Sequence, residues 1–155
     1  MVASGSGVRL EELAHNLFDV VTQFCLSVPR GRRRSGDLKE IEFLTLSLLN
    51  QQAMLIVGDI QRQLGVLPAQ MSRIIRALEN RERPLIACRI NPHDKRKIDV
   101  ALTPAGVAAF HEYESTRVRT ISTVLGKLDE DDLEDLGRLL GKLHEALGHR
   151  EAALS

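Results

Sequence analysis

A chain of 155 residues that is 43% hydrophobic and 27% charged has enough apolar side chain to bury one core without disulfides or metals, and its five aromatics leave that core to Leu, Ile, Val and Ala. Its formal net charge is zero, yet residues 59–97 hold nine Lys or Arg against four Asp or Glu while residues 107–155 carry net −4, so one stretch suits an anionic polymer and another does not. No apolar run approaches the roughly 18 residues of a membrane span, residues 1–7 lack the apolar centre of a secretory signal, and Cys25 and Cys88 form no paired motif, so the sequence predicts a cytoplasmic protein with reduced thiols.

From Leu10, apolar residues recur at Leu13, Leu17, Val20, Val21, Phe24 and Val28, the three- and four-residue spacing of an amphipathic helix that Pro29 and Gly31 end. The run Arg30 to Arg34 has no periodicity and strong self-repulsion. It reads as an exposed linker, with phosphate contact as the alternative. Asp37 followed by Glu40 has capping-box spacing and opens a second helix carrying Ile41, Leu44, Leu48 and Leu49, ending near Asn50. Met54 to Val57 form a short apolar patch compatible with one strand. A helix then starts at Asp59 and stops at Gly65, a C-cap glycine. Pro68 suits the first turn of the next helix, whose buried face is Met71, Ile74, Ile75 and Leu78. Two short helices across a glycine turn make a helix-turn-helix.

Residues Leu85 to Ile90 and Lys97 to Leu102 read as a β-hairpin, Ile98, Val100 and Leu102 alternating with other residues, and Asn91-Pro92-His93-Asp94-Lys95-Arg96 forms its cationic tip. Thr103-Pro104 starts a long helix through Phe110, Val118, Ile121 and Leu125. After the acids at 129–132, Leu133, Leu136, Leu139, Leu140, Leu143 and Leu147 form a stripe on a last helix. The fold class is therefore mainly α with a small β-hairpin. We read a single domain over 1–155, with a winged helix-turn-helix lobe at 37–103 and dimerisation helices at 9–28 and 104–150.

The order of these elements, the run Asp94-Lys95-Arg96 leading to Leu102-Thr103-Pro104-Ala105-Gly106, and the stretch Val57 to Glu79 with Leu64-Gly65-Val66 and Met71-Ser72-Arg73 resemble the MarR family of regulators. The resemblance covers residues 9–148. It implies a dimer formed through the terminal helices, recognition helices in successive major grooves, and a wing arginine in the minor groove. That arginine corresponds to Arg96, and the family's orienting aspartate to Asp94. In place of a hydroxyl cap on the recognition helix this chain has Leu67, and before the first wing strand it has Pro84 rather than glycine.

Gln70, Ser72, Arg73 and Arg76 lie on the polar face of the recognition helix and are the expected base or phosphate contacts. At the tip, Asp94 stands two residues before Arg96 and can fix its guanidinium by a charge-assisted pair. With Lys95 and Lys97 it forms a cationic wing for a narrow, electronegative minor groove. The expected partners are duplex DNA bearing an inverted repeat, a second copy of the chain, and, from the resemblance, a small aromatic effector; the expected activity is transcriptional repression. No phosphate-binding glycine loop, GxSxG, HExxH or paired-cysteine motif is present, so no enzyme chemistry, cofactor or metal is read. Two alternatives stand beside this reading. One is redox sensing at Cys25, against which stands a buried, inert thiol. The other is an interaction module without DNA specificity, which would need no arginine at the wing tip.

Overall fold

A computed structural model describes residues 3–27 and 37–153, with side chains for 5–27 and 37–148. In chain order the elements are α1 (Ala3–Leu26), α2 (Glu40–Gln51), β1 (Leu55–Ile56), α3 (Val57–Leu64), α4 (Pro68–Glu79), β2 (Ile86–Ile90), β3 (Ile98–Leu102), α5 (Pro104–Leu125) and α6 (Glu130–Ala153). Every element expected from periodicity is present. Helix α1 begins at Ala3, earlier than the apolar repeat, and closes at Leu26, before Pro29. The Arg30 to Arg34 run lies outside the described residues. The backbone divides into two compact units, residues 29–117 and residues 1–28 with 118–155, and the division falls inside α5.

The core of the first unit is built from Leu46 and Leu49 of α2, Ile60 of α3, Met71, Ile74 and Leu78 of α4, Ile86 and Val100 of the sheet, and Phe110 of α5. Phe43 adds a stack to it: its ring lies parallel to that of Phe110 at 5.4 Å and over that of Tyr113 at 4.2 Å, the separations at which aromatic pairs attract. The start of α2 corrects the sequence reading. The residue capping α2 is Lys39 rather than Asp37, and its backbone N–H donates to Glu42 Oε1 at 2.8 Å. Glu42 is buried, and a second donor, Arg81 Nη2 at 3.4 Å, ties the beginning of α2 to the segment after α4. A buried carboxylate is tolerated when a backbone donor and a cation both face it.

The hairpin of the sequence reading is two thirds of a three-stranded antiparallel sheet in the order β1-β3-β2. Leu55 pairs with Val100 on one side of β3, and Cys88 pairs with the same Val100 on the other. Burial along β3 departs from simple alternation. Val100 is fully buried and Ile98 is 44% exposed, yet Asp99 is only 3% exposed. Ile98 pairs with Ile90, itself exposed, at the tip end of the strands, beyond the core, whereas Asp99 is enclosed by polar partners on the other face.

Helix α5 is fixed to this sheet by its first residues. Thr103 Oγ1 donates to the carbonyl of Pro84 at 2.6 Å and accepts the N–H of Gly106 at 3.0 Å, while the Thr103 N–H donates to the Leu85 carbonyl at 3.1 Å. The hydroxyl cap therefore joins β2, β3 and α5 at one point. In the second unit, α6 opens on Asp129, whose carboxylate accepts the Asp132 N–H at 2.8 Å, with Glu130, Asp131 and Asp132 in the first turn where the helix dipole favours acids. Leu10, Leu13, Leu17, Phe18, Val20 and Val21 of α1 and Leu133, Leu139, Leu140, Leu143 and Leu147 of α6 are all exposed in the single chain. Among the described residues no helix is long and apolar enough to cross a membrane.

Candidate nucleic-acid interface

The turn between α3 and α4 is made by Gly65, whose φ of 66° and ψ of 32° lie in the left-handed region that glycine enters without strain. Its N–H donates to the carbonyl of Gln61 at 3.0 Å and is shared with Arg62 at 3.2 Å, which closes α3 and frees the chain to reverse into α4 after three residues. Pro68 occupies the first turn of α4, and Leu67 before it supplies no side-chain cap. Burial of Met71, Ile74 and Leu78 then sets the rotation of the helix. Gln70, Ser72, Arg73 and Arg76 are thereby left exposed, as the periodicity predicts. Among the described residues neither Arg73 nor Arg76 takes part in an ion pair, so both guanidinium groups keep their full donor capacity.

At the wing tip the pair expected from spacing is formed. Arg96 donates to the Asp94 carboxylate from its backbone N–H at 3.1 Å, from Nε at 3.2 Å and from Nη2 at 3.4 Å. These side-chain and backbone hydrogen bonds, with the charge of Lys97 as a smaller contribution, hold the Asp94 carboxyl below the ordinary carboxylate range. The Arg96 side chain stays 90% exposed: it is oriented without being covered. Lys95 and Lys97 are also exposed.

Arg96 and Lys97 line a cleft of about 350 Å³ together with Gly58, Asp59 and Arg62, so the wing and the last turn of α3 present cations to one space. Arg62 is paired with Asp59 one helical turn away. Arg62 belongs to the basic stretch 59–97, but its place beside the wing has no local signal, because only the pairing of β1 with β3 brings α3 there. No ion pair or hydrogen bond joins the α4 group to the wing group among the described residues. They are two separate groups of exposed cations on one unit.

The thiols differ from expectation. Cys25 is exposed on α1 rather than buried, because the apolar face of that helix is itself uncovered in the single chain. Cys88 is half-buried, and burial first, then the negative charge of Glu79, pushes its pKa up, which disfavours the reactive thiolate. Among the described residues no cluster of three His, Cys, Asp or Glu could hold a metal ion.

The residues that build these surfaces are similar to those of known proteins. The model of the MarR family matches residues 38–98, which hold α2, both helices of the turn motif and the sheet up to the first residue of β3. The HTH-type transcriptional repressor MdtR of Bacillus subtilis is 28% identical over 105 residues, 68% of this chain, and the chain spans 66% of that relative's length. The YusO protein of Bacillus subtilis superposes with a TM-score of 0.66 at 23% identity, over 88% of this chain and 95% of that one. BpsR of Bordetella bronchiseptica, whose structure was described as a mechanism for regulation of its DNA binding by 6-hydroxynicotinic acid, superposes with a TM-score of 0.61 at 22% identity, over 86% and 98%. These structural likenesses carry the fold. The family match falls on the residues that form the helix-turn-helix and the wing: over residues 38–98 the chain is similar to the MarR family, and its fold is that of the proteins on which it superposes.

Proposed function

We propose that the protein is a sequence-specific repressor that binds duplex DNA as a homodimer and is released by a small aromatic effector in the cytoplasm. The observation that carries the proposal is the pair of unshielded cationic surfaces on one unit, Arg73 and Arg76 on α4 and Arg96 held by Asp94 at the wing tip. Helix α4 enters the major groove, where Gln70, Ser72, Arg73 and Arg76 meet base edges and phosphates. The planar fork of arginine matches the two acceptors of guanine. Arg96 enters the adjacent minor groove, which is narrow and electronegative over A·T tracts, and Lys95 and Lys97 lie along its phosphates.

The exposed apolar faces of α1 and α6 support a two-fold dimer, since an apolar surface of that extent on a single chain calls for a partner. A two-fold protein reads an inverted repeat. The effector class follows BpsR, whose DNA binding is regulated by an aromatic acid.

Titration of a duplex at several salt concentrations tests the reading. A dimer neutralising roughly six to eight phosphates gives a slope of log affinity against log salt near −5 to −7. A slope near zero would remove DNA as the partner.

A further inference from the structure

We propose that Asn91 and Asp99 are positioning residues for the wing-tip arginine, forming a buried anchor on β3 from which a continuous path of hydrogen bonds runs out to Arg96. The proposal rests on the minor-groove reading of Arg96.

Asp99 is the starting point because its burial has no account in the packing of the core. Only 3% exposed, it receives one hydrogen bond, from Asn91 Nδ2 to its Oδ1 at 2.9 Å. Its Oδ2 has none. The cross-strand partner Arg89 brings Nε to 3.8 Å of that oxygen, close enough for charge compensation and too far for a hydrogen bond. A buried carboxylate satisfied on one oxygen stabilises a fold less than an apolar side chain of similar size would. Its effect is on Asn91.

A carboxylate only accepts, so the Asn91 amide must turn its NH₂ towards Asp99 and its oxygen the other way. That oxygen accepts the backbone N–H of His93 at 2.8 Å and of Asp94 at 3.0 Å, which closes the tip loop around Asn91. The loop is closed again at its base. The Asn91 N–H donates to the Lys97 carbonyl at 2.9 Å, and the Lys97 N–H donates to the Asp94 carbonyl at 3.0 Å. With its backbone fixed in this way, Asp94 presents the carboxylate that takes the backbone N–H, Nε and Nη2 of Arg96. In every link chemistry fixes which side donates and which accepts, so the polarity of the path is set from the buried end. Its consequence is preorganisation: an arginine already held in one rotamer loses less side-chain entropy when it enters a groove.

The diagnostic variants are Asn91→Asp and Asp99→Asn, alone and together. Asn91→Asp keeps an oxygen for the His93 and Asp94 N–H groups but sets a second carboxylate against Asp99. The double variant restores one hydrogen bond with donor and acceptor exchanged. Two measurements are made: the ¹⁵N heteronuclear NOE at Arg96 Nε in the free protein, and affinity for a duplex with A·T-rich flanks. We expect Asn91→Asp to lower the NOE and to weaken binding roughly two- to tenfold. The double variant recovers both, and Asn91→Asp adds nothing in an Arg96→Ala background. Asn91→Ser, which loses the amide donor with less repulsion, shifts both readings the same way and serves if Asn91→Asp fails to fold.

An unchanged NOE in Asn91→Asp and Asn91→Ser, no recovery in the double variant, or losses that add in full to Arg96→Ala would overturn the proposal. If the NOE falls and recovers as expected while Arg96→Ala binds DNA like wild type, positioning is upheld and the minor-groove reading is the part that fails.

Discussion

A Cβ on Gly106 would lie 2.0 Å from the carbonyl oxygen of Leu85, so the first turn of α5 packs against the residue that leads into β2 at a distance that only glycine permits. The obstacle is backbone on both sides, and a side chain cannot rotate away from it. Gly106→Ala is therefore expected to destabilise the winged-helix lobe by about 3 kcal/mol, the upper range for overpacking. Urea unfolding measures it. A midpoint unchanged from wild type would mean that α5 shifts without cost and that this junction is looser than its geometry implies.

The Leu102-Thr103-Pro104-Ala105-Gly106 run was legible in the sequence as a helix start, because a hydroxyl followed by proline has that meaning locally. The demand for glycine two residues on was not, since it comes from Leu85, a residue 21 positions away. The same division holds elsewhere. Periodicity located Met71, Ile74 and Leu78 as a buried face, and i,i+2 spacing located the Asp94–Arg96 pair. It did not reveal that Glu42 and Asp99 are buried carboxylates, because the cations that face them, Arg81 and Arg89, are brought in by tertiary structure. Nor did an apolar patch at Met54 to Val57 show that its strand would join the wing as a third member and bring Arg62 beside Arg96.

Exposed and buried residues of α4 should separate function from stability. Arg73→Ala and Arg76→Ala are expected to leave the melting midpoint within about 1 °C while weakening specific binding by about 1–3 kcal/mol for a base contact, with relaxed preference at one position of the site. Met71→Ala should do the reverse, costing about 2–5 kcal/mol of stability. Duplex titration paired with thermal melts checks both halves. Wild-type affinity in both arginine variants would take α4 out of the groove.

The Asp94–Arg96 pair has a defined pH signature. Because Arg96 lowers the pKa of Asp94, the carboxylate binds its proton more weakly in the ordered wing than in a disordered one. The order it contributes is complete above the ordinary carboxylate value, near 3.9, and is lost as pH falls through the lowered value. Wing geometry should thus be constant from about pH 5 to 8. The carboxyl ¹³C resonance of Asp94 is expected to titrate below the ordinary range in wild type and to move up towards it in Arg96→Ala. The same midpoint in both proteins would contradict the pairing.

The leucine stripe of α6 predicts a change of assembly rather than of fold. Leu140 and Leu143 are 44% and 45% exposed in the single chain, so Leu140→Glu with Leu143→Glu removes no core contact of the winged-helix lobe. Light scattering should report a dimer for wild type and a monomer for the double variant at micromolar concentration, with helicity retained and DNA affinity reduced because two linked half-site contacts become one. A double variant that stays dimeric would remove α6 from the interface.

Selection of bound sequences from a random duplex pool tests the central claim, that two copies of this winged helix-turn-helix read DNA together. The account predicts enrichment of an inverted repeat whose half-sites are centred about one helical turn apart, roughly 10 base pairs, with A·T-rich flanks where the wings reach the minor groove. No enrichment over the starting pool, or enrichment of a single half-site without symmetry, would contradict it.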